Sequence, residues 1–103
     1  MLYSFPQVSI IVSTYNADAF LAGCIESIID QTYPYIELII IDGGSTDATL
    51  SIIEYYQKHV TFFVSELDMG IYDAWNKGLS VATGDWIAFV GADDILLPNA
   101  IAI

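Results

Sequence analysis

The side chains best placed to do chemistry in this chain are carboxylates, and they fall in short polar segments that follow apolar runs. Thr14, Tyr15 and Asn16 follow the run Val8 to Val12 (VSIIV), and Asp42 follows Ile36 to Ile41. Glu66 and Asp68 come soon after Thr61 to Val64 (TFFV), and Asp93 and Asp94 after Trp86 to Val90 (WIAFV). Two adjacent carboxylates with no Lys or Arg beside them in the chain repel each other. A hard divalent cation held through oxygen relieves that repulsion. His59 is the lone histidine and Cys24 the lone cysteine, far apart in the chain, so the clustered ligands of a zinc site are missing. The ion these residues suit is Mg²⁺ or Mn²⁺. It would also reconcile an acidic chain with a phosphorylated ligand, because Mg²⁺ is commonly held by one or two carboxylates together with substrate phosphates.

These residues need a scaffold that brings them to one edge. VSIIV and Ile36 to Ile41 have the continuous apolar, β-branched character of strands buried on both faces. TFFV and WIAFV give a third and a fourth strand. Between the first two, Phe20, Leu21, Cys24, Ile25, Ile28 and Ile29 form a helical stripe, with Asn16 or Asp18 as the expected cap and an end before Pro34. Asp42 to Asp47 is a turn that opens a second helix carrying Leu50, Ile52, Ile53 and Tyr56, with Asp47 as its helix-start residue. Gly70 to Ala82 reads as a third helix, and Pro98 as the start of a last one. The order β-α-β-α-β-α-β predicts a Rossmann-like, mostly parallel α/β sheet of about four strands with helices on both faces. In such sheets ligands bind beyond the carboxyl ends of the strands, the edge where these polar residues collect.

Composition narrows the possibilities. Against 13 acidic residues stand only Lys58 and Lys77, and the net charge is −11. A nucleic-acid partner is excluded, since phosphate backbones are bound through Lys and Arg, and an anionic membrane surface is disfavoured for the same reason. The chain is nevertheless 55% apolar or aromatic, with mean hydropathy +0.58, which excludes an acidic disordered tail. No apolar run approaches the roughly 20 residues of a membrane span. No basic N-terminal leader precedes the first apolar run, and a single cysteine allows no internal disulfide, so a cytoplasmic setting is expected. Cys24, inside the helical stripe, reads as a buried thiol. Asp42-Gly43-Gly44 is neither a dinucleotide fingerprint nor a P-loop, and its glycines suit a turn as well as a ligand.

Four segments together carry a family resemblance: VSIIVSTYN (8–16), IDGGSTDAT (41–49), SELDMGIYDAWNKGLSVATGDWIAFVGADD (65–94) and the following Pro98. In this order and spacing they resemble family 2 glycosyltransferases of the GT-A fold, from about Val8 to the end of the chain. The resemblance implies transfer of a sugar from a nucleotide-diphosphate-sugar donor, UDP- or GDP-linked, to a sugar or lipid-linked acceptor, often in cell-surface polysaccharide assembly. It places Thr14, Tyr15 and Asn16 along the nucleoside pocket, Asp42 at the nucleobase and Asp68 facing the nucleotide. Asp93 and Asp94 match the end of the D-x-D-type motif, holding the metal and contacting the ribose, with either one the direct metal ligand. A cytoplasmic enzyme of this kind can lie against the inner face of the membrane.

The same resemblance has departures. Ser13 stands where the family often has Pro, Gly43 where a second Asp is common, Gly91 where the D-x-D motif begins, and Trp75 where many relatives carry Arg. It also implies that residues 1–103 are the donor-binding portion of a longer catalytic domain. The acceptor site and an acidic general base would lie further on, so this chain is expected to bind nucleotide weakly without turnover. Two other readings compete. A receiver-like signalling domain needs an acid pair after its first strand, where Thr14-Tyr15-Asn16 stand instead. A non-catalytic α/β fragment would self-associate through uncovered sheet or helix faces.

Overall fold

A computed structural model of the chain describes residues 5–67 and 70–101. Its elements run β1 (Val8–Thr14), α1 (Leu21–Ile29), β2 (Ile36–Asp42), α2 (Thr49–Tyr55), a 3₁₀ turn (Gln57–His59), β3 (Phe62–Ser65), α3 (Ile71–Val81) and β4 (Trp86–Gly91). The four strands form one sheet in the order β3-β2-β1-β4, and every neighbouring pair is parallel. This is the α/β architecture that the alternating pattern predicts.

The two central strands explain their own composition. Ile10 and Val12 of β1, Leu38 and Ile40 of β2 and Val90 of β4 face α1 and α2, packing on Leu21, Cys24, Ile25, Ile28 and Ile53. Ile11, Ile39 and Ile41 point the other way, onto Ala74 of α3. Each fully buried aliphatic side chain contributes about 1.5–3 kcal/mol, and strands covered on both sides carry such residues on both faces. The helices are 9, 7 and 11 residues long and none has a side-chain cap. Helices this short are marginal alone, so packing on the sheet holds them. Gly78 lets α3 come close: a Cβ there would lie 2.5 Å from Cγ2 of Ile11.

Two local expectations are corrected. Neither Asn16 nor Asp18 caps α1; the residue before that helix is Phe20, with no capping side chain. Both polar residues are drawn instead to the loop after β2, as described below. No helix follows Pro98 among the described residues. The chain there is a turn, with the Ala100 N–H donating to the Leu97 carbonyl. This segment is strapped along α1: Gln31 donates to the Leu97 carbonyl (2.7 Å) and accepts from the Ile101 N–H (3.0 Å), and Ser27 accepts from the Leu96 N–H (3.1 Å). Side-chain partners on α1 (Ser27) and just past its end (Gln31) replace the intrahelical bonds a helix would have made.

Candidate functional site

The parallel register brings the strand exits abreast. Thr14 is level with Asp42, Asp42 with Ser65, and Ser13 with Gly91. Asp42 is fully buried at the centre of this row. Its Oδ1 accepts from the hydroxyls of Thr14 (2.5 Å) and Ser45 (2.6 Å). Its Oδ2 accepts from the N–H groups of Gly44 (3.0 Å) and Ser45 (2.8 Å) and from the Ser65 hydroxyl (2.8 Å). Burial alone would push its pKa up, but bonds from Ser45, Thr14 and Ser65 outweigh burial and hold it below the ordinary 3.8. Gly44, at φ 88°, takes the left-handed conformation that lets the loop curl back onto this carboxylate.

The loop after β1 is stitched to the loop after β2. The Asn16 N–H donates to the Ser45 hydroxyl (2.8 Å), and the Asn16 side-chain Oδ1 accepts from the Thr46 N–H (2.8 Å). The Ala17 N–H reaches Thr49 Oγ1 (2.8 Å), and Asp18 accepts from the Ala48 N–H (3.2 Å). Asn16 has φ 47°, the one positive value outside glycine among the described residues and a conformation asparagine tolerates. Asp47 accepts from both the N–H and the hydroxyl of Thr49, the first residue of α2, in keeping with its reading as a helix-start residue. This bracing leaves Tyr15 standing out at 64% exposure.

Tyr15 separates two clefts. One, of about 300 Å³, is lined by Ser13, Tyr15, Asn16, Phe20, Gly91 and Asp93, together with Ala17 and Ala92. The other, of about 250 Å³, lies between Ser13, Thr14, Tyr15 and the start of α3 at Gly70, Ile71 and Ala74. Asp94 closes its own turn: its carboxylate accepts from the Gly91 N–H (2.8 Å) and its N–H donates to the Gly91 carbonyl (3.0 Å). Asp93 is left facing the first cleft. A Cβ at position 91 would lie 3.1 Å from Asp93 Oδ1 and 3.3 Å from Asp94 Oδ2, so glycine makes room for both carboxylates. Beneath this turn the Cys24 thiol, fully buried, contacts the Gly91 carbonyl at 3.5 Å. Burial first, then the charges of Asp94 and Asp93, push its pKa to about 11.

The site residues inferred from sequence therefore separate into layers. Thr14 and Asp42 lie bonded to each other in the floor, Tyr15, Asn16 and Asp93 line the first cleft, Asp94 shapes its turn, and Asp68 lies outside the described residues. Glu66 pairs with Lys77 (3.1 Å), which also reaches Asp73 (3.4 Å). Trp75 packs on Phe89 of β4, with ring centroids 4.7 Å apart. Ser45 and Ser65 were not singled out by sequence as site residues, and Phe20, read there as the first residue of the α1 stripe, stands exposed before that helix instead. Ser45, three residues after Asp42, carried a turn signal, whereas Ser65 is brought to Asp42 by register alone. Among the described residues no three His, Cys, Asp or Glu side chains lie close enough to hold a metal ion. Two hard carboxylates fit a divalent cation only where a ligand's own oxygens complete its coordination.

A parallel sheet with polar residues gathered at its carboxyl edge is the arrangement in which open α/β proteins bind their ligands. The profile of Glycosyl transferase family 2 matches residues 9–103, and the chain belongs to that family. It is 44% identical over 94 residues to a PGL/p-HBAD biosynthesis glycosyltransferase of Mycobacterium tuberculosis, a match covering 88% of this chain and 37% of that relative. The chain thus spans little more than a third of that relative's length. Among solved structures it resembles Staphylococcus aureus TarS in complex with UDP, with TM-score 0.82, 30% identity, and coverage of 92% of this chain and 30% of that one. It also resembles the mannosyltransferase PcManGT of Pyrobaculum calidifontis in complex with GDP-Man and Mn²⁺, with TM-score 0.81, 30% identity, and coverage of 87% and 28%.

Proposed function

We propose that this chain is the donor-binding portion of a glycosyltransferase that moves a sugar from a nucleoside-diphosphate carrier to a sugar or lipid-linked acceptor in cell-surface polysaccharide synthesis, on the cytoplasmic side of the membrane. The observation that carries the reading is the cleft at the carboxyl edge of the sheet, where Tyr15 and Asn16 face Asp93 across about 300 Å³. Tyr15 offers a ring face and Asn16 fixes the loop beneath the nucleoside, with Thr14 and Asp42 in the floor. Asp93 takes the diphosphate side together with a divalent cation, Mn²⁺ or Mg²⁺, while Asp94 holds the turn that presents it. Asp68 belongs to the nucleotide side by its place after β3. The bound cation supplies Lewis-acid stabilisation of the departing nucleoside diphosphate.

The UDP complex of TarS and the GDP-Man and Mn²⁺ complex of PcManGT support the donor class and the ion. The reading also explains how so acidic a protein accepts an anionic ligand, since the cation brings the positive charge. Calorimetric titration with UDP and with GDP, each with and without Mn²⁺, tests it. Weak binding that depends on Mn²⁺ and is lost in Asp93→Asn is the expected result. No heat of binding in any of the four titrations would end the reading for this chain.

A further inference from the structure

We infer that Asp42 is a positioning residue, whose carboxylate locks the exits of β1, β2 and β3 into one platform and does not touch the nucleotide. The inference deepens the donor-site reading above and rests on it. A carboxylate has two oxygens and about four lone-pair sites. Here those oxygens accept five hydrogen bonds, all from this chain: three side-chain hydroxyls and two backbone N–H groups. The group is fully buried. No lone pair is left for a ligand, and an arriving base would have to displace a charge-assisted bond to gain one.

What the carboxylate does is visible in where its donors come from. Thr14 ends β1, Gly44 and Ser45 form the loop after β2, and Ser65 ends β3. Thr14 immediately precedes Tyr15, and Ser45 also accepts from the Asn16 N–H. Tyr15 and Asn16, which face the first cleft from the β1 loop, are therefore held, through one or two bonds each, by a charge they never expose to ligand. The next position, Gly43, has no side chain, and its N–H is committed to the Thr14 carbonyl (2.9 Å). No carboxylate from the start of the β2 loop is thus available to read a nucleobase. Asp42 should act on affinity for every nucleotide alike.

The test pairs nucleotide titration with residue-resolved amide exchange on the full chain, using Asp42→Asn, Ser65→Ala and Ser65→Thr. Ser65 contributes a single hydroxyl at the end of β3, so its variants stand in should Asp42→Asn fail to fold. With Mn²⁺ present, Asp42→Asn should weaken UDP and GDP by the same factor, about tenfold or more. Ser65→Ala should weaken both by a smaller common factor, and Ser65→Thr, which keeps the hydroxyl, should restore them. Exchange at the Gly44 and Ser45 amides should accelerate, while the Thr83 amide, bonded to Glu37 at the opposite edge of the sheet (2.9 Å), stays at its wild-type rate. A change in the UDP-to-GDP preference in Asp42→Asn would show direct contact with the base and overturn the inference. So would unchanged exchange at Gly44 and Ser45. Failure of the wild-type chain to bind either nucleotide removes the donor reading instead, and the two failures are read on different measurements.

Discussion

Cys24 shows how burial and charge together set the behaviour of one residue. Its thiol is fully enclosed, contacts the Gly91 carbonyl, and has its pKa raised from 9.0 to about 11, by burial first and then by Asp94 and Asp93. The thiolate is the reactive form, so about two pKa units leave about a hundredfold less of it at neutral pH. A disulfide reagent should therefore label the native chain at least that much more slowly than the denatured chain, which should give one equivalent at once. Labelling of the native protein at the free-thiol rate would refute the buried assignment. Burial of this thiol was legible from its place in an apolar stripe. The enclosure of Asp42 was not. An acid followed by two glycines looks the same whether its oxygens face a ligand or five donors, and one of those donors, Ser65, stands 23 positions away.

Among the elements, the sheet has two polar ends with different tasks. At the edge away from the cleft, Glu37 of β2 is buried and bonded to the Ser9 hydroxyl (2.7 Å) and to the N–H (2.9 Å) and hydroxyl (2.7 Å) of Thr83. It ties β1, β2 and the α3–β4 connection together. Burial would raise its pKa, but the Thr83 and Ser9 bonds prevail and hold it below the ordinary 4.5. A folded-state pKa below the unfolded one means stability that is present above 4.5 and lost as pH falls through the folded value. Asp42 has the same sign from its own ordinary value of 3.8. The urea midpoint should hold from pH 7 to about 5 and drop below 4.5. Glu37→Gln should lower the unfolding free energy at pH 7 by about 1–3 kcal/mol, because a buried donor loses its acceptor, and should flatten the acid limb. A steeper limb in that variant would contradict the assignment. Strand positions and the buried face of α1 from Leu21 to Ile28 were legible because apolar period and sheet burial coincide, whereas Phe20 and Leu50, read as members of the helical faces, are exposed. The ends of α1 and the segment after Pro98 were not, because their polar groups are satisfied by partners on other elements, and a local capping rule cannot see those.

At the scale of the whole molecule the charge imbalance becomes a property of the fold. Thirteen carboxylates and two lysines leave a net charge of −11. Lys77 is already shared between Glu66 and Asp73, so it neutralises little beyond its own surroundings. Folding gathers the remaining negative charges onto one small surface, whereas the unfolded chain spreads them apart. Self-repulsion therefore works against the native state, and exposed charges of this kind are screened once the Debye length falls to about 10 Å, near 0.1 M salt. The internal bonds to Asp42 and Glu37 are short and buried, so salt should leave them nearly untouched. Raising NaCl from about 10 mM to about 300 mM should accordingly increase the melting temperature by several degrees at pH 7, since screening favours the state in which like charges are closest. The same rise should shrink at pH 4.5, where some of the exposed carboxylates are protonated and less repulsion remains to be screened. Mn²⁺ at equal ionic strength should add a further increase only if it engages a localised site. Asp93→Asn separates that contribution from screening: the NaCl response should survive the substitution and the additional Mn²⁺ response should vanish. A melting temperature that falls with NaCl at pH 7 would mean that attractive ion pairs, not self-repulsion, dominate the surface of this chain.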